Sequence, residues 1–165
     1  MTAVQRAVHV AVRRAAVADA ALIASLNADV QAIHAAVLPV RFKPPSADGF
    51  LAEASALLAK PETLAFVAEA ASGPAGYALA EVIRRPETSL VHAHEMIMVN
   101  HLSVRPQLRR CGVGSALIAA ARAAGSELGI TLVALDVWTF NDDARAFFRR
   151  QGFVPYIERL WDRAG

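Results

Sequence analysis

Apolar positions along this chain recur at a period of two in some stretches and near 3.6 in others, and the switches between the two mark out its elements. His9 to Arg14 alternates as a strand. Ala18 to Asn27 has helical spacing, with Asp19 as a short acceptor for the free amides at its start. A second helix follows through Ala35. Leu38 to Ser46 contains Pro39, Pro44 and Pro45, each of which fixes its own φ and restricts the residue before it, so this segment is predicted to be irregular and is a candidate lid. Phe50 to Ala59 returns to helical spacing, and Leu64 to Ala70 is a short apolar strand. Ser72-Gly73-Pro74 is a turn signal that sends Ala75 to Arg84 back antiparallel. Beyond Arg85-Pro86 lies an extended segment, Glu95 to Val104. Gly112 to Leu128 is predicted as a helix with Val113, Leu117, Ala121, Ala124 and Leu128 on one stripe. Thr131 to Thr139 is predicted as a buried strand, Asp142 to Arg150 as a helix and Phe153 to Leu160 as a final strand. The order is mixed α/β with a central hairpin run, and differs from a simple βαβ array.

Composition narrows the class. The chain has 165 residues, 55% of them hydrophobic and 19% charged, which fits one globular domain over residues 1–165 and excludes a disordered chain. Arg13, Glu53, Lys60 and Arg84 break the apolar stretches before the roughly 20 residues a membrane helix needs, so no span is predicted. At the start, Gln5, Arg6, His9, Arg13 and Arg14 interrupt what would be the apolar core of a signal peptide, and an amphipathic first strand fits better. The single cysteine, Cys111, forms no internal disulfide, and His9, His34, His92, His94 and His101 do not stand at zinc spacing, so no metal site is expected and a reducing cytoplasm fits. A formal charge of only +2 does not point to nucleic acid. Arginines cluster locally, however, at Arg105, Arg109 and Arg110.

That cluster lies where a predicted strand enters a glycine-containing loop and opens a helix, from Ser103 through Arg109-Arg110-Cys111-Gly112-Val113-Gly114-Ser115. Orphan amides and the positive dipole end at a helix start favour a phosphate, and glycine allows close backbone approach. The P-loop is excluded because Gly114 is followed by Ser115-Ala116, and the dinucleotide fingerprint because Leu117 occupies the third small position. The alternative is a tight strand-to-helix turn with its arginines in solvent.

Here the residues resemble a known family. Arg109-x-x-Gly112-x-Gly114 is similar to the (Gln/Arg)-x-x-Gly-x-(Gly/Ala) signature of the GCN5-related N-acetyltransferases, and Leu102-Ser103-Val104-Arg105-Pro106 to the Leu-x-Val-x-Pro pattern before it. A second element follows at the expected distance: Leu135 to Asn141, then Ala144, Phe147 and Gly152-Phe153. The resemblance implies a mostly antiparallel central sheet with a splayed parallel pair and about four helices. It further implies acetyl-coenzyme A as acyl donor, its pyrophosphate held by Arg109, Arg110, Cys111, Gly112, Val113, Gly114 and Ser115. The pantetheine arm would enter a gap between the strand ending at Val104 and the one beginning near Leu132, alongside Leu102, Ser103 and Val104, with Asn141, Ala144 and Phe147 from the second element. Relatives often form homodimers.

Acetyl transfer to an amine requires a neutral nucleophile, a polarised carbonyl and a departing thiolate. The resemblance points to backbone amides from Leu102 to Val104, Val104 above all, as the oxyanion donor. His101 and Glu95 are the candidate bases, with a water chain as the alternative to either; imidazole titrates near neutrality. The family's tyrosine acid is replaced by Phe148, so either the thiolate leaves unprotonated or Tyr156 substitutes. Trp138 and Phe140 either line the acceptor pocket or pack, with Val137 expected to face the core. His34, Phe42 and Lys43 fall in the region that covers the acceptor in relatives. The expected activity is acetyl transfer to a small-molecule amine, and the competing expectation is an acyl-coenzyme A sensor without turnover.

Overall fold

A computed structural model describes residues 9–46 and 48–162; the reading of residues 1–8 lies outside them. Strands β1 (Val10–Arg14), β2 (Thr63–Ala70), β3 (Gly73–Arg85), β4 (His94–Val104) and β5 (Val133–Leu135) form one sheet in that order. The first three pairings are antiparallel, and β4 with β5 is parallel. Helices α1 (Ala20–Val37) and α2 (Leu51–Leu58) precede β2, α3 (Val113–Glu127) joins β4 to β5, and α4 (Asp142–Arg150) follows β5.

Both faces of the sheet are covered, so the inner strands alternate between two apolar layers instead of between core and solvent. Leu64, Phe66 and Ala68 of β2, with Ala78, Ala80 and Val82 of β3, pack on Val113, Leu117, Ala121 and Ala124 of α3. The intervening Ala65, Val67, Tyr77 and Leu79 pack on Ala20, Ile23 and Leu26 of α1 and Ala54 of α2. Fully burying one such large side chain stabilises the fold by roughly 1.5–3 kcal/mol.

One irregularity in β4 sets the position of the site. Ala80 pairs with Val99 but Leu79 pairs with His101, so Asn100 is an extra residue that bulges from the ladder. Before it, Ile97 and Val99 face α3; after it, Leu102 and Val104 do. The odd positions His101 and Ser103 are thereby turned to the opposite face, where Ser103 Oγ donates to Leu26 O of α1 (2.9 Å).

The structure corrects several expectations. The two helices predicted up to Ala35 are one, because nothing between Ala20 and Val37 breaks the backbone ladder. With the preceding turn, Val17–Val37 reaches 21 residues and is long and apolar enough to cross a membrane by length and composition, contrary to the sequence estimate; it lies on the sheet through Ala20, Ile23, Leu26 and Asn27. Asp19 stands before α1, but its carboxylate accepts from Arg13 (2.8 and 2.9 Å) and from the Ala16 N–H (2.8 Å), not from α1. The Arg13 contact, seconded by Ala16, lowers its pKa to about 2. Leu128 leaves the α3 stripe and is 49% exposed. The buried strand expected over Thr131 to Thr139 is three half-buried residues, since β5 has a neighbour on one side only, and Val137 is exposed. Phe153 to Leu160 is not a strand: it leaves α4 as irregular chain with Val154, Tyr156, Ile157 and Leu160 largely exposed.

Candidate active site

The β4–β5 ladder runs only from Ile97–Val133 to Val99–Leu135, after which the strands part. The direction of the β4 amides around this gap follows from two bonds. Ile97 donates its N–H to Leu132 O on the β5 side (2.9 Å), whereas Arg105 donates to Ala75 O on the β3 side (2.9 Å). Odd-numbered amides therefore change sides at the bulge, and beyond Asn100 the N–H groups of Leu102 and Val104 face the gap.

At the lower end of the gap, the chain turns through Pro106–Leu108 into the arginine-glycine loop. Arg110 has φ 61° and Gly112 φ 90°, both left-handed, which folds the loop back so that α3 starts at Val113. The first helical bond is Ala116 N–H to Gly112 O (3.0 Å), leaving the amides of Val113, Gly114 and Ser115 ahead of it as orphan donors. A Cβ on Gly112 would meet open space, whereas one on Gly114 would lie 3.0 Å from Phe147 Cζ. Gly112 is thus demanded by its backbone, and Gly114 by the ring of α4. Ser115 Oγ accepts from Gln151 Nε2 (2.9 Å), a second tie between α3 and the end of α4. Arg109 Nε donates to Val104 O (3.3 Å), and Cys111 Sγ to Arg109 O (3.4 Å).

Asn141 Oδ1 accepts from Ala144 N–H (3.1 Å) and caps α4. Loop 109–115 follows closely on β4 residues 102–104, and its Gly114 meets Phe147 of α4. Phe148 is buried against Phe147 and Phe153 (ring centroids 5.1 and 5.7 Å). Tyr156 is 96% exposed in the irregular tail.

His101 stands on the α1/α2 face, stacked on Phe50 (5.1 Å, 20°). Tyr77, wholly buried, donates its only phenolic proton to Asn27 Oδ1 (2.7 Å). Its oxygen also lies 3.4 Å from His101 Nδ1. With the phenol's hydrogen committed, that contact is satisfied only if Nδ1 carries the proton, which leaves the lone pair on Nε2. Burial holds His101 below its ordinary pKa, partly offset by the carboxylate of Glu53 and reinforced by nearby His34. The same burial pushes the Tyr77 phenol well up. Glu95 is elsewhere: six residues back along β4, roughly 20 Å away, it pairs with Arg84 (2.7 Å) at the rim of an open concavity that also includes Leu132. Asn27, Tyr77 and Glu53 escaped the sequence reading. The signals were a lone polar-tipped ring in the small-residue run Gly76-Tyr77-Ala78 and an apolar phase that slips by one between Val99 and Leu102.

Residues 27–153 match the family model described as the acetyltransferase (GNAT) family. The chain belongs to the GNAT acetyltransferase family. Solved structures of similar fold include the tetramutant of the BH1408 protein from Bacillus halodurans, with TM-score 0.87 and 18% identity over 92% of this chain and 97% of that one. The aminoglycoside N-acetyltransferase AAC(6')-Iy in complex with CoA has TM-score 0.71 and 21% identity, covering 97% of each chain. A GCN5-related N-acetyltransferase from Ralstonia eutropha JMP134 has TM-score 0.68 and 23% identity over 95% of this chain and all of that one. No curated protein matches. Within the GNAT chain, the sheet of five strands is mostly antiparallel, as the resemblance implied, with its parallel pair at β4–β5. The final strand expected after α4 is not formed among the described residues.

Proposed function

We propose that this GNAT chain moves an acetyl group from acetyl-coenzyme A to the primary amine of a small molecule, in the cytoplasm, by direct attack within a ternary complex. One observation carries the reading. The bulge at Asn100 turns the Leu102 and Val104 amides into the β4–β5 gap and His101 onto the α1/α2 face, which supports reading one strand as the source of both the oxyanion donors and the base. The pyrophosphate would lie against the amides from Arg109 to Ser115, where Gly112 leaves the approach open. The arm would follow the gap past Asn141.

In the reaction, the acceptor ammonium gives up one proton to solvent and attacks as the neutral amine; the new C–N bond forms at the carbonyl carbon, the Val104 amide stabilises the oxyanion, and His101 Nε2 takes the second proton from the nitrogen. The C–S bond then breaks. Phe148 has no proton to give and Tyr156 is remote in solvent, so coenzyme A leaves as thiolate, consistent with a thiol pKa of about 8.5. Glu95, paired with Arg84, has no part in this scheme. The buried, phenol-free Phe148 equally favours a second reading, in which the domain binds acyl-coenzyme A without turnover.

Calorimetric titration of acetyl-coenzyme A together with thiol release over a panel of amines separates the two. Tight binding with no turnover on any amine would remove the transferase reading. Gly112→Asp should abolish coenzyme binding, because it sets a carboxylate in the phosphate's approach; undiminished affinity would sink the loop assignment.

A further inference from the structure

Four rings that the sequence scatters over more than a hundred positions meet in the fold, and one of them, His34, acts electrostatically on the proposed base, His101. His34 lies 4.9 Å from Phe42, Phe42 stands edge-on to Trp138 at 5.2 Å, Trp138 stacks on Phe140 at 5.8 Å and 17°, and Phe140 returns to His34 at 6.0 Å. They come from α1, from the proline-rich loop after it and from the loop between β5 and α4. None belongs to either buried core cluster, and each is half-exposed. Their grouping is therefore not explained by the main packing of the domain. Partly exposed aromatic faces gathered at one place are the usual lining of a small-ligand site.

The charges around the rings restrict what such a site accepts. Arg41 holds its guanidinium 5.2 Å over Trp138, and Lys43 follows it on the same loop, its carbonyl fixed by Gln31 Nε2 (2.6 Å). His34 is kept neutral by burial. On the acidic side, Glu53 is the carboxylate among the described residues that acts on His101. Asp142 and Asp143 are exposed at the start of α4, where Asp142 pairs with Arg145 (3.0 Å). A polycation would meet the Arg41 guanidinium over Trp138, with one carboxylate acting on the base. A ligand with a planar apolar body and a single ammonium group matches rings, rim and carboxylate together.

We propose that the acceptor is an arylalkylamine: an aromatic ring lying among His34, Phe42, Trp138 and Phe140, carrying one primary amine on a short arm that reaches His101. This rests on the transferase reading above and narrows it. The ring is held by stacking and edge contacts, and Glu53 draws the ammonium group towards His101 before its proton is removed. Polyamines and aminoglycosides are disfavoured by Arg41.

Thiol release from acetyl-coenzyme A should be measured with phenethylamine and tryptamine against spermidine and kanamycin. The expected kcat/KM for the aromatic amines is at least tenfold higher. Trp138→Ala and, independently, Phe42→Ala should each raise the aromatic-amine KM about tenfold and leave the KM for acetyl-coenzyme A unchanged, and Trp138→Phe should recover most of the loss. Phe42 lies on an irregular loop, so its variant keeps the test open if Trp138→Ala fails to fold. Equal or better turnover of spermidine or kanamycin overturns the acceptor assignment while leaving the transferase intact. So does an unchanged aromatic-amine KM in a folded variant. Absence of turnover on every amine overturns both.

Discussion

The two faces of the sheet are built from the same strands but to different ends. Under α3, every position that reaches the sheet is aliphatic or aromatic: Leu117 and Ala121 meet Phe66, Ala78 and Ile97 in a layer without a buried polar side chain among the described residues. Under α1 and α2, the same strands present Tyr77, His101 and Ser103, each tied to a polar group, beside Asn27 of α1. A dry layer gains stability from area and is indifferent to orientation of charge. A polar layer sacrifices some of that gain and fixes orientation, because each buried donor must meet its acceptor.

This contrast is open to test, beginning with the greatest loss. His101→Gln, on the polar face, should lower kcat by roughly 10²–10⁴ with little change in melting temperature; a kcat within a few-fold of wild type would show that water or another group takes the proton. Leu117→Ala, on the dry face, should destabilise the domain by about 2–5 kcal/mol in denaturant unfolding, while kcat per folded molecule stays near wild type. Tyr77→Phe lies between: an orphaned Asn27 carbonyl costs roughly 1–3 kcal/mol, and release of the His101 tautomer should lower kcat without raising the acetyl-coenzyme A KM. If stability falls and kcat does not, Tyr77 is structural alone.

The smallest effect is one of pH. Burial depresses the pKa of both His101 and His34 below 6.5, so the folded state favours their neutral forms. The stability they contribute is complete above pH 6.5 and is lost as pH falls through their lowered folded values. Melting temperature should therefore drop on acidification from pH 7.5, less steeply in His101→Gln than in wild type. Identical slopes would exclude His101 as a contributor.

The dry face was the more legible in sequence. Its α3 stripe follows helical spacing from Val113 to Ala124, and short-range patterning of this kind survives folding because one surface decides it. The arginine-glycine loop was legible too, since its backbone demands leave a mark at Gly112 and Gly114. The polar face was not. Asn27 and Tyr77 are fifty positions apart, and nothing local to either reveals the other. The four-ring cluster is hidden for the same reason. The extent of β5 failed differently: apolar residues from Leu132 to Val137 promised a central strand, but a strand with one neighbour is held only as far as its ladder runs. Beyond Phe153, alternating large residues suggested a strand for which the described chain provides no pairing partner.

The extra residue at Asn100 has a bearing on how this chain tolerates insertions and deletions. Loops such as the one from Leu38 to Ser46 absorb a change of length with little consequence for their flanks. Removing Asn100 would restore a regular alternation and exchange the two pairs beyond it: His101 and Ser103 would rotate under α3, and Leu102 and Val104 would turn to α1, with their amides carried away from the gap. No other side chain would have been altered, yet the proposed base and the proposed oxyanion donor would both be lost in one step. For this segment the count of residues is as strict a requirement as their identity, and alignments that slide it by one position would compare opposite faces of the sheet.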